Sequence, residues 1–311
     1  MRTNRRDFLK LAIAGTGATL LPAIMDPGKA LAASFAGTPV MGRKAVLYDV
    51  TKCVGCRACQ NACKGWNGMP ADSTGFQGIY DNPFRLSSKT LTLIKYKEIE
   101  ANGEIELIFC KYQCMHCEHP ACAEACIVGA LQKTPQGPVV YDKGKCIGCR
   151  YCQVACPFGV PSFEWDKPIP WIRKCTFCAD RQEQGREPAC VEACPTGALK
   201  FGDREELITE ARQRIASAQD KYVDHIYGEK EVGGTSWMYL SPVPFEQLGF
   251  PALGSEPVTV NAARAMSLVP PVLLGVAVAM TGIYTITKRR QKMSQFETGE
   301  KDKAKPKEER N

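Results

Sequence analysis

Two short stretches of sequence decide the fold: KCVGCRACQ at residues 52–60 and KCIGCRYCQ at residues 145–153. Each holds three cysteines separated by two residues, and a fourth cysteine follows after three more positions. Three thiolates this close together suit three corner irons of one [4Fe–4S] cubane, while the fourth thiolate reaches a neighbouring cluster. A zinc site instead takes two cysteines from each loop, because its single tetrahedral ion is held between two hairpins. The spacing therefore predicts iron–sulfur clusters.

Sixteen of the seventeen cysteines fall into four quartets of this general kind. The quartets are Cys53, Cys56, Cys59 and Cys63; Cys114, Cys117, Cys122 and Cys126; Cys146, Cys149, Cys152 and Cys156; and Cys175, Cys178, Cys190 and Cys194. Tight quartets and an odd total argue against the alternative of a disulfide- or zinc-rich structural protein. The sequence predicts four [4Fe–4S] clusters with these sixteen cysteines as iron ligands.

The region that carries the quartets repeats itself. VLYD at residues 46–49 leads into the first quartet as VVYD at residues 139–142 leads into the third, and ACAEAC at residues 121–126 recurs as ACVEAC at residues 189–194. Each half reads as a short strand, a cysteine loop, a helical turn and a returning strand. The predicted fold class is α+β: a duplicated two-[4Fe–4S] ferredoxin-like domain at residues 42–202 with low regular secondary structure, plus one C-terminal transmembrane helix.

Residues 1–32 are expected to be a signal peptide. Paired arginines at residues 5–6 precede an apolar run at residues 11–24, and the small residues 30–32 form a candidate cleavage site. The apolar run is too short to span a bilayer core, and the arginine pair resembles a twin-arginine signal. An ordinary secretion signal with chance arginines is the alternative. The twin-arginine route moves folded proteins, which keeps cluster ligands from forming disulfides.

A single membrane anchor is expected at residues 265–287. These 23 uncharged residues would form a helix of roughly 35 Å, enough for a hydrocarbon core of roughly 30 Å. Pro270 and Pro271 are expected in its first turns, where a missing N–H does least harm. The basic run KRRQK at residues 288–292 places the C-terminus in the cytoplasm and the cluster domain on the periplasmic side of the cytoplasmic membrane. A buried core helix is the alternative.

The charge distribution argues against a nucleic-acid partner. The net charge of +7 lies at the ends, with +3 in residues 1–32 and +4 in residues 288–311, so residues 33–287 are neutral. A nucleic-acid-binding domain needs a basic patch in its folded body. Residues 288–311 are expected to form a charged cytoplasmic tail, and their low hydrophobicity predicts disorder from residue 291.

Residues 203–264 are expected to form a helix and an extended arm between the cluster domain and the anchor. Asp203 and Glu206 give a capping-box-like start, and apolar residues at helical spacing continue to about Ala218. This helix is expected to pack on the cluster domain. The Gly- and Pro-rich composition of residues 219–264 predicts the arm.

Four charged residues flank the cysteine loops and have two interpretations. They are Lys52, Arg57, Lys145 and Arg150. Their charges would raise local cluster potentials, since charge is one determinant of potential. The alternative is that they are plain solvated loop charges.

Three further residues beside the quartets are not expected to be ligands. His116 and His119 are predicted to be hydrogen-bonding loop residues, and Cys110, the seventeenth cysteine, a small buried hydrophobe. The chain shows no haem-attachment motif, no dinucleotide fingerprint and no cysteine left to act with a histidine. We therefore expect a non-catalytic electron-transfer subunit of an oxidoreductase complex.

Several features together resemble the iron–sulfur subunit of exported, quinone-linked nickel–iron hydrogenases. They are the quartets, the signal, the stretch Tyr227–Glu231 followed by Gly233–Thr235, and the single C-terminal span. The signal on the chain itself and the segment Val243–Leu248 favour this subunit over its relatives.

The loop after the first quartet is instead similar to the β subunit of membrane-bound formate dehydrogenases. The similarity lies in Trp66-Asn67, Ile79–Pro83 and Leu86-Ser87. The two families are relatives, so the β subunit of a formate dehydrogenase, or of another molybdopterin oxidoreductase, is the alternative to the hydrogenase subunit.

In such subunits the first quartet exchanges its last cysteine with the fourth, and the second with the third. The resemblance therefore implies four ligand sets: Cys53, Cys56, Cys59 and Cys194; Cys63, Cys175, Cys178 and Cys190; Cys114, Cys117, Cys122 and Cys156; and Cys126, Cys146, Cys149 and Cys152. It also implies electron transfer between a periplasmic catalytic subunit and a multi-span, quinone-reactive membrane subunit, with membrane lipid around the anchor.

Overall fold

A computed structural model describes residues 42–72, 83–101, 104–168 and 170–303. The expected signal peptide at residues 1–32, most of the stretch 79–83 and the end of the tail lie outside the described residues. The chain divides into two compact units, one from Phe35 to Thr259 and another that contains the C-terminal residues from Val260.

The described strands are β1 (Lys44–Asp49), β2 (Thr92–Ala101), β3 (Glu104–Gln113), β4 (Leu131–Lys133), β5 (Val139–Tyr141), β6 (Ser162–Phe163), β7 (Ile172–Arg173), β8 (Leu199–Asp203) and β9 (Trp237–Leu240). The described α-helices are α1 (Ala58–Trp66), α2 (Ala121–Glu124), α3 (Tyr151–Ala155), α4 (Ala179–Glu183), α5 (Ala189–Glu192), α6 (Arg204–Ser217) and α7 (Val260–Lys303). Short 3₁₀ turns lie at Val50–Lys52 and Glu231–Gly233.

β1 is the central strand of a three-stranded sheet with the order β8–β1–β9. β8 runs antiparallel to it, with Val46 opposite Phe201, and β9 runs parallel to it, with Val46 opposite Trp237. The residues Ala45–Tyr48 are all buried. A strand that is apolar on both faces needs packing partners on both sides of the sheet.

The two faces of β1 have different partners because side chains alternate along a strand. Val46 and Tyr48 pack in a core that also contains quartet cysteines, whereas Ala45 and Leu47 pack against α6. The apolar residues of α6 in this contact are Leu207, Ile208, Ala211 and Ile215. The predicted packing of this helix on the cluster region is confirmed.

The start of α6 differs from the predicted capping box. Asp203 precedes the helix, but its side chain makes no capping hydrogen bond. The carboxylate instead accepts a hydrogen bond from Lys44 Nζ at 3.1 Å. Because β8 ends at Asp203 directly beside β1, the pairing of the strands draws this carboxylate to the neighbouring lysine.

β2 and β3 form a long antiparallel hairpin of ten residues on each side. Ile94 lies opposite Lys111 in its register, and both residues are buried. The other end of the hairpin is open to solvent, with Ile105 74% exposed. The hairpin therefore carries Lys111, a charged residue, into the interior of the first unit.

The sequence duplication is visible in the strand pairing. β1, which leads into the first quartet, pairs with β8, which follows the fourth. β5, which leads into the third quartet, pairs in the same antiparallel way with β4, which follows the second. Each half of the sequence has the predicted order of strand, cysteine loop, helical turn and returning strand, but its returning strand pairs with the leading strand of the other half. The first quartet is therefore combined with the fourth, and the second with the third.

The predicted extended arm at residues 219–264 is wrong for most of its length. β9 lies within this range and is completely buried beside β1. Phe245 and Leu248 also belong to the core that contains quartet cysteines. The Gly and Pro residues here mark tight turns of a packed segment, so the cluster region continues beyond residue 202 into this segment.

In the part of the chain that the structure describes, one helix is long and apolar enough to cross a membrane, and it covers Arg264–Phe296 within α7. α7 begins at Val260, so the expectation that Pro270 and Pro271 lie in the first turns is wrong. The helix also continues to Lys303, where disorder was expected. The residues that follow the apolar segment are mostly strong helix formers, which explains the continuation.

Candidate iron–sulfur sites

Each cysteine loop contains a left-handed residue directly before its second cysteine. The φ angles there are +69° at Gly55, +49° at His116, +73° at Gly148 and +58° at Phe177. A left-handed residue turns the chain tightly, which wraps the two flanking cysteines into one loop. The motif predicts this turn only where the residue is glycine. His116 and Phe177 take the same conformation, and only an alignment of all four quartets would have found them.

The loops bring cysteines from different quartets together. We define site 1 as Cys53, Cys56, Cys59 and Cys194; site 2 as Cys63, Cys175, Cys178 and Cys190; site 3 as Cys114, Cys117, Cys122 and Cys156; and site 4 as Cys126, Cys146, Cys149 and Cys152. Within each site the thiols lie close enough to shift one another's pKa. These are the four sets that the resemblance implies, and their role as ligands stays a prediction.

Site 2 illustrates the electrostatics of these thiols. Burial raises the pKa of Cys63 to about 12, Lys111 opposes that rise, and the Cys190 and Cys178 thiols increase it. Burial similarly raises the pKa of Cys178 to about 11. Thiolates in such surroundings need positive charge to hold them, which bound iron supplies.

The four sites form a series in which each site has a cysteine beside the next, and we call this series the line of sites. Cys59 of site 1 lies beside Cys190 of site 2, and Cys175 of site 2 lies beside Cys114 of site 3. Cys122 of site 3 in turn neighbours a cysteine of site 4, Cys152. The order along the protein is therefore site 1, site 2, site 3, site 4.

Exposure distinguishes the ends of this line from its middle. Among the sixteen quartet cysteines only Cys56 and Cys149 are exposed, and they belong to site 1 and site 4. All four cysteines of site 2 are buried. The line thus has exposed cysteines at both ends and is most enclosed at site 2, while Cys117 and Cys156 of site 3 are half-buried.

Hydrogen bonds to sulfur come from the loops themselves. The Phe177 N–H donates to Cys175 Sγ at 3.3 Å, and the Ala130 N–H donates to Cys126 Sγ at 3.2 Å. Such bonds favour the charged sulfur and are among the factors that set the potential of a bound cluster.

The side chains around the cavity at site 2 suit an iron–sulfur cluster. The cavity is lined by all four thiols of the site, together with Lys111 and Trp237. Trp237 is completely buried, and its indole Nε1 has no hydrogen-bond partner within the described residues. A bound group that carries sulfur acceptors would give this donor a partner. All seventeen cysteines are unpaired in the structure, so the disulfide framework is not formed.

The residues that were not expected to be ligands have ordinary structural roles. Cys110 is fully buried in the core, as predicted for a small hydrophobe. His116 Nδ1 accepts a hydrogen bond from the Val139 N–H at 2.9 Å, and its ring stacks on Phe177. His119 is half-buried, and burial lowers its pKa.

The four flanking charges have specific partners. Lys52 pairs with Asp49 at 4.0 Å, and Lys145 pairs with Asp142 at 3.7 Å. The two arginines lie over aromatic rings, with Arg57 5.0 Å from the centroid of Tyr96 and Arg150 4.3 Å from that of Trp165. The charge that lies deepest among the thiols is Lys111, which the sequence interpretation missed. Its one signal was a lysine that directly follows the apolar residues Leu107–Cys110 just before a quartet.

The comparisons with known proteins agree with this geometry. The family described as 4Fe-4S dicluster domain matches residues 105–204. A protein of Nitratidesulfovibrio vulgaris is 43% identical over 305 residues, which cover 96% of this chain and 80% of that protein. Hydrogenase-2 operon protein HybA of Escherichia coli O157:H7 is 38% identical over 316 residues, which cover 88% of this chain and 94% of HybA.

The iron–sulfur subunit of the nitrate-inducible formate dehydrogenase of Escherichia coli is 43% identical over 199 residues, which cover 63% of this chain and 67% of that subunit. Both branches of the predicted resemblance are therefore represented among the relatives. The chain belongs to the family of iron–sulfur electron-transfer subunits that includes HybA and the formate dehydrogenase iron–sulfur subunits.

Proposed function

We propose that this subunit carries four [4Fe–4S] clusters, one at each of sites 1 to 4, and conducts electrons along them between a periplasmic catalytic subunit and a quinone-reactive membrane subunit. The observation that carries the proposal is a series of four neighbouring thiol groups in which the exposed cysteines belong to the first and the last group. A relay needs this arrangement, because electrons must enter and leave at the surface while the intermediate steps stay shielded.

The protein's part in this function is to hold the clusters and to set their reduction potentials. When bound, the clusters accept and release single electrons. The chain supplies sixteen thiolates, hydrogen bonds from loop N–H groups, burial, and the charge of nearby lysines. These are the means by which a protein sets cluster potentials.

A nickel–iron hydrogenase is the preferred catalytic partner. The similarity to HybA covers 88% of this chain, whereas the similarity to the formate dehydrogenase subunit covers 63%. The second candidate is a formate dehydrogenase or another molybdopterin enzyme, because the identity over that shorter region is the higher of the two, 43% against 38%.

We further propose that residues 265–287 anchor the subunit in the cytoplasmic membrane, with the clusters on the periplasmic side. The apolar helix and the basic residues 288–292 directly after it support this topology. Export of the folded protein by the paired-arginine signal would deliver the cluster region to that side.

The test is to purify the tagged full chain from membranes in mild detergent, measure its iron and acid-labile sulfide, and identify the proteins that accompany it. We expect four [4Fe–4S] clusters per chain, and a Cys110→Ala variant should keep all four. A nickel–iron large subunit with a multi-span membrane protein would support the hydrogenase assignment. A molybdopterin subunit would establish the second candidate, and a colourless protein without sulfide would refute the relay.

A further inference from the structure

Lys111 is a fully buried lysine in the wall of site 2. It lies on β3 with 1% of its surface exposed, and it lines the same cavity as the four thiols of the site. Its ammonium donates to Thr92 Oγ1 at 2.6 Å and to Gln113 Oε1 at 2.8 Å, and it stands 4.3 Å from the ring centroid of Trp237. All of these protein partners are neutral.

Lys64 and Lys174 are the other buried lysines among the described residues of the first unit. Lys64 pairs with Asp72 at 2.7 Å, whereas Lys174 donates to the backbone carbonyls of Val139 and Cys175 at 2.5 and 3.1 Å. None of the ion pairs formed within the described residues includes Lys111. A buried ammonium without a counter-ion is strongly unfavourable, so its charge needs an anion that the carboxylates do not provide.

The groups that share the cavity with Lys111 are the thiols of Cys63, Cys175, Cys178 and Cys190. Iron binds these groups as thiolates, so a cluster at site 2 would supply the negative charge that the protein partners of Lys111 lack. With its neutral partners fixed, the ammonium cannot turn away from the cavity to reach solvent.

We propose that Lys111 is the positioning charge that raises the reduction potential of the cluster at site 2. This inference rests on the proposed function, since it requires a cluster at that site. One-electron reduction adds one negative charge to the cluster, with the electron coming from the cluster at a neighbouring site, and no bond or proton is exchanged. A fixed positive charge in a medium of low dielectric constant stabilises the more negative state.

The position of site 2 explains the need for such a charge. All four of its cysteines are buried, and burial disfavours the added negative charge of the reduced cluster. Without compensation, the potential at site 2 would fall below those of more exposed neighbours and the step through it would slow. Lys111 offsets that effect and keeps an enclosed site usable as an intermediate in the line.

The experiment compares Lys111→Met with the wild type in the full-length protein, purified with its accompanying subunits. Redox titration followed by electron paramagnetic resonance gives the midpoint potential of each cluster. We expect the midpoint of one cluster to fall by at least the equivalent of a tenfold change in its reduced-to-oxidised ratio at fixed potential, which is 59 mV for one electron. The other three midpoints should move much less, and the iron and sulfide content should remain that of the wild type.

Two further variants separate charge from packing. Lys111→Arg keeps the charge and should keep the potential close to that of the wild type. Lys95→Met removes a lysine from the same hairpin whose ammonium also lies over an aromatic ring, 4.9 Å from the centroid of Tyr112, but which is only half-buried. Solvent screens that charge, so we expect all four potentials to be unchanged.

Unchanged potentials in Lys111→Met, with the full cluster content, would overturn the inference. If Lys111→Met instead loses one cluster, Lys111→Arg decides. Retention of the cluster in the arginine variant supports a required charge, and its loss there would reduce Lys111 to a packing role. A wild-type protein without four clusters would refute the proposed function itself, a result distinct from these.

Discussion

The Arg214 guanidinium donates a hydrogen bond to the Asp49 carboxylate at 2.9 Å, which joins α6 to the end of β1 just ahead of the first quartet. Asp49 is completely buried and also accepts from the Tyr222 hydroxyl at 2.9 Å and from the Thr51 hydroxyl at 2.6 Å. This carboxylate therefore fixes the point at which the chain leaves the sheet and begins to wrap site 1.

Removal of Arg214 should destabilise the cluster region. Loss of one partner of a buried ion pair costs about 3 kcal/mol, because the other charge is left uncompensated. We expect Arg214→Met to bleach at a lower temperature than the wild type when visible absorbance is followed on heating. Arg212→Met is the control, since Arg212 lies on the same helix but its side chain is 63% exposed, and exposed pairs contribute little. Equal bleaching of the two variants would contradict the role of Asp49.

The two glycines at equivalent places in the repeat should differ in their tolerance of alanine. A Cβ on Gly55 would lie 2.8 Å from Phe109 Cδ1, whereas a Cβ on Gly148 meets nothing within 4 Å. Both have positive φ, which costs an alanine about 1 kcal/mol. We expect Gly55→Ala to lower the occupancy of site 1 and Gly148→Ala to leave site 4 occupied, as measured by iron content and cluster spectra. Comparable losses would mean that Phe109 moves aside freely.

Serine substitutions of neighbouring cysteines should affect different clusters. Cys59 and Cys63 lie on the same helix, yet they belong to site 1 and site 2. We expect Cys59→Ser and Cys63→Ser to change different cluster signals in electron paramagnetic resonance. If both variants change the same signal, the quartets bind clusters without exchange of their last cysteine.

Removal of the clusters should unfold the first unit. Its core contains quartet cysteines packed beside Val46 and Tyr48 of the central strand, so an emptied site leaves voids and unpaired polar groups inside. We expect chelation under oxidising conditions to expose residues 42–259 to protease, as seen by limited digestion. An unchanged digestion pattern after full loss of iron would show that protein contacts alone maintain the fold.

Truncation after Thr259 should free the cluster region from the membrane. It removes α7, the described helix that is able to cross a bilayer, and leaves the first unit complete. We expect the truncated chain to leave membranes on an alkaline carbonate wash and to remain brown, while the full chain stays bound. Retention of the truncated chain after this wash would place the membrane contact elsewhere.

Patterns within short stretches of sequence predicted the elements whose structure depends on residues close together in the chain. The quartet spacing and the repeats predicted the loops and the flanking strands, because a cysteine loop needs its own turn and its own strand. The period of Leu207, Ile208, Ala211 and Ile215 predicted the buried face of α6.

Features that depend on distant contacts were not predictable in the same way. β9 has no polar alternation, since Trp237 to Leu240 are all buried, and its partner β1 lies far away in the sequence. Lys111 was missed because a lysine in a strand ordinarily marks its solvent face. Only the packed structure reveals that this one faces thiols.

The pairing of β1 with strands from the far end of the unit constrains the order in which the protein is synthesised and assembled. Site 1 joins Cys53 to Cys194, and the core in which its cysteines pack also includes Trp237 and Tyr239 of β9. The ribosome therefore has to synthesise nearly the whole unit before site 1 can close around a cluster. Cluster insertion is therefore a late step in the synthesis of each chain. A nascent chain that stalls before β9 emerges would lack part of the core around site 1.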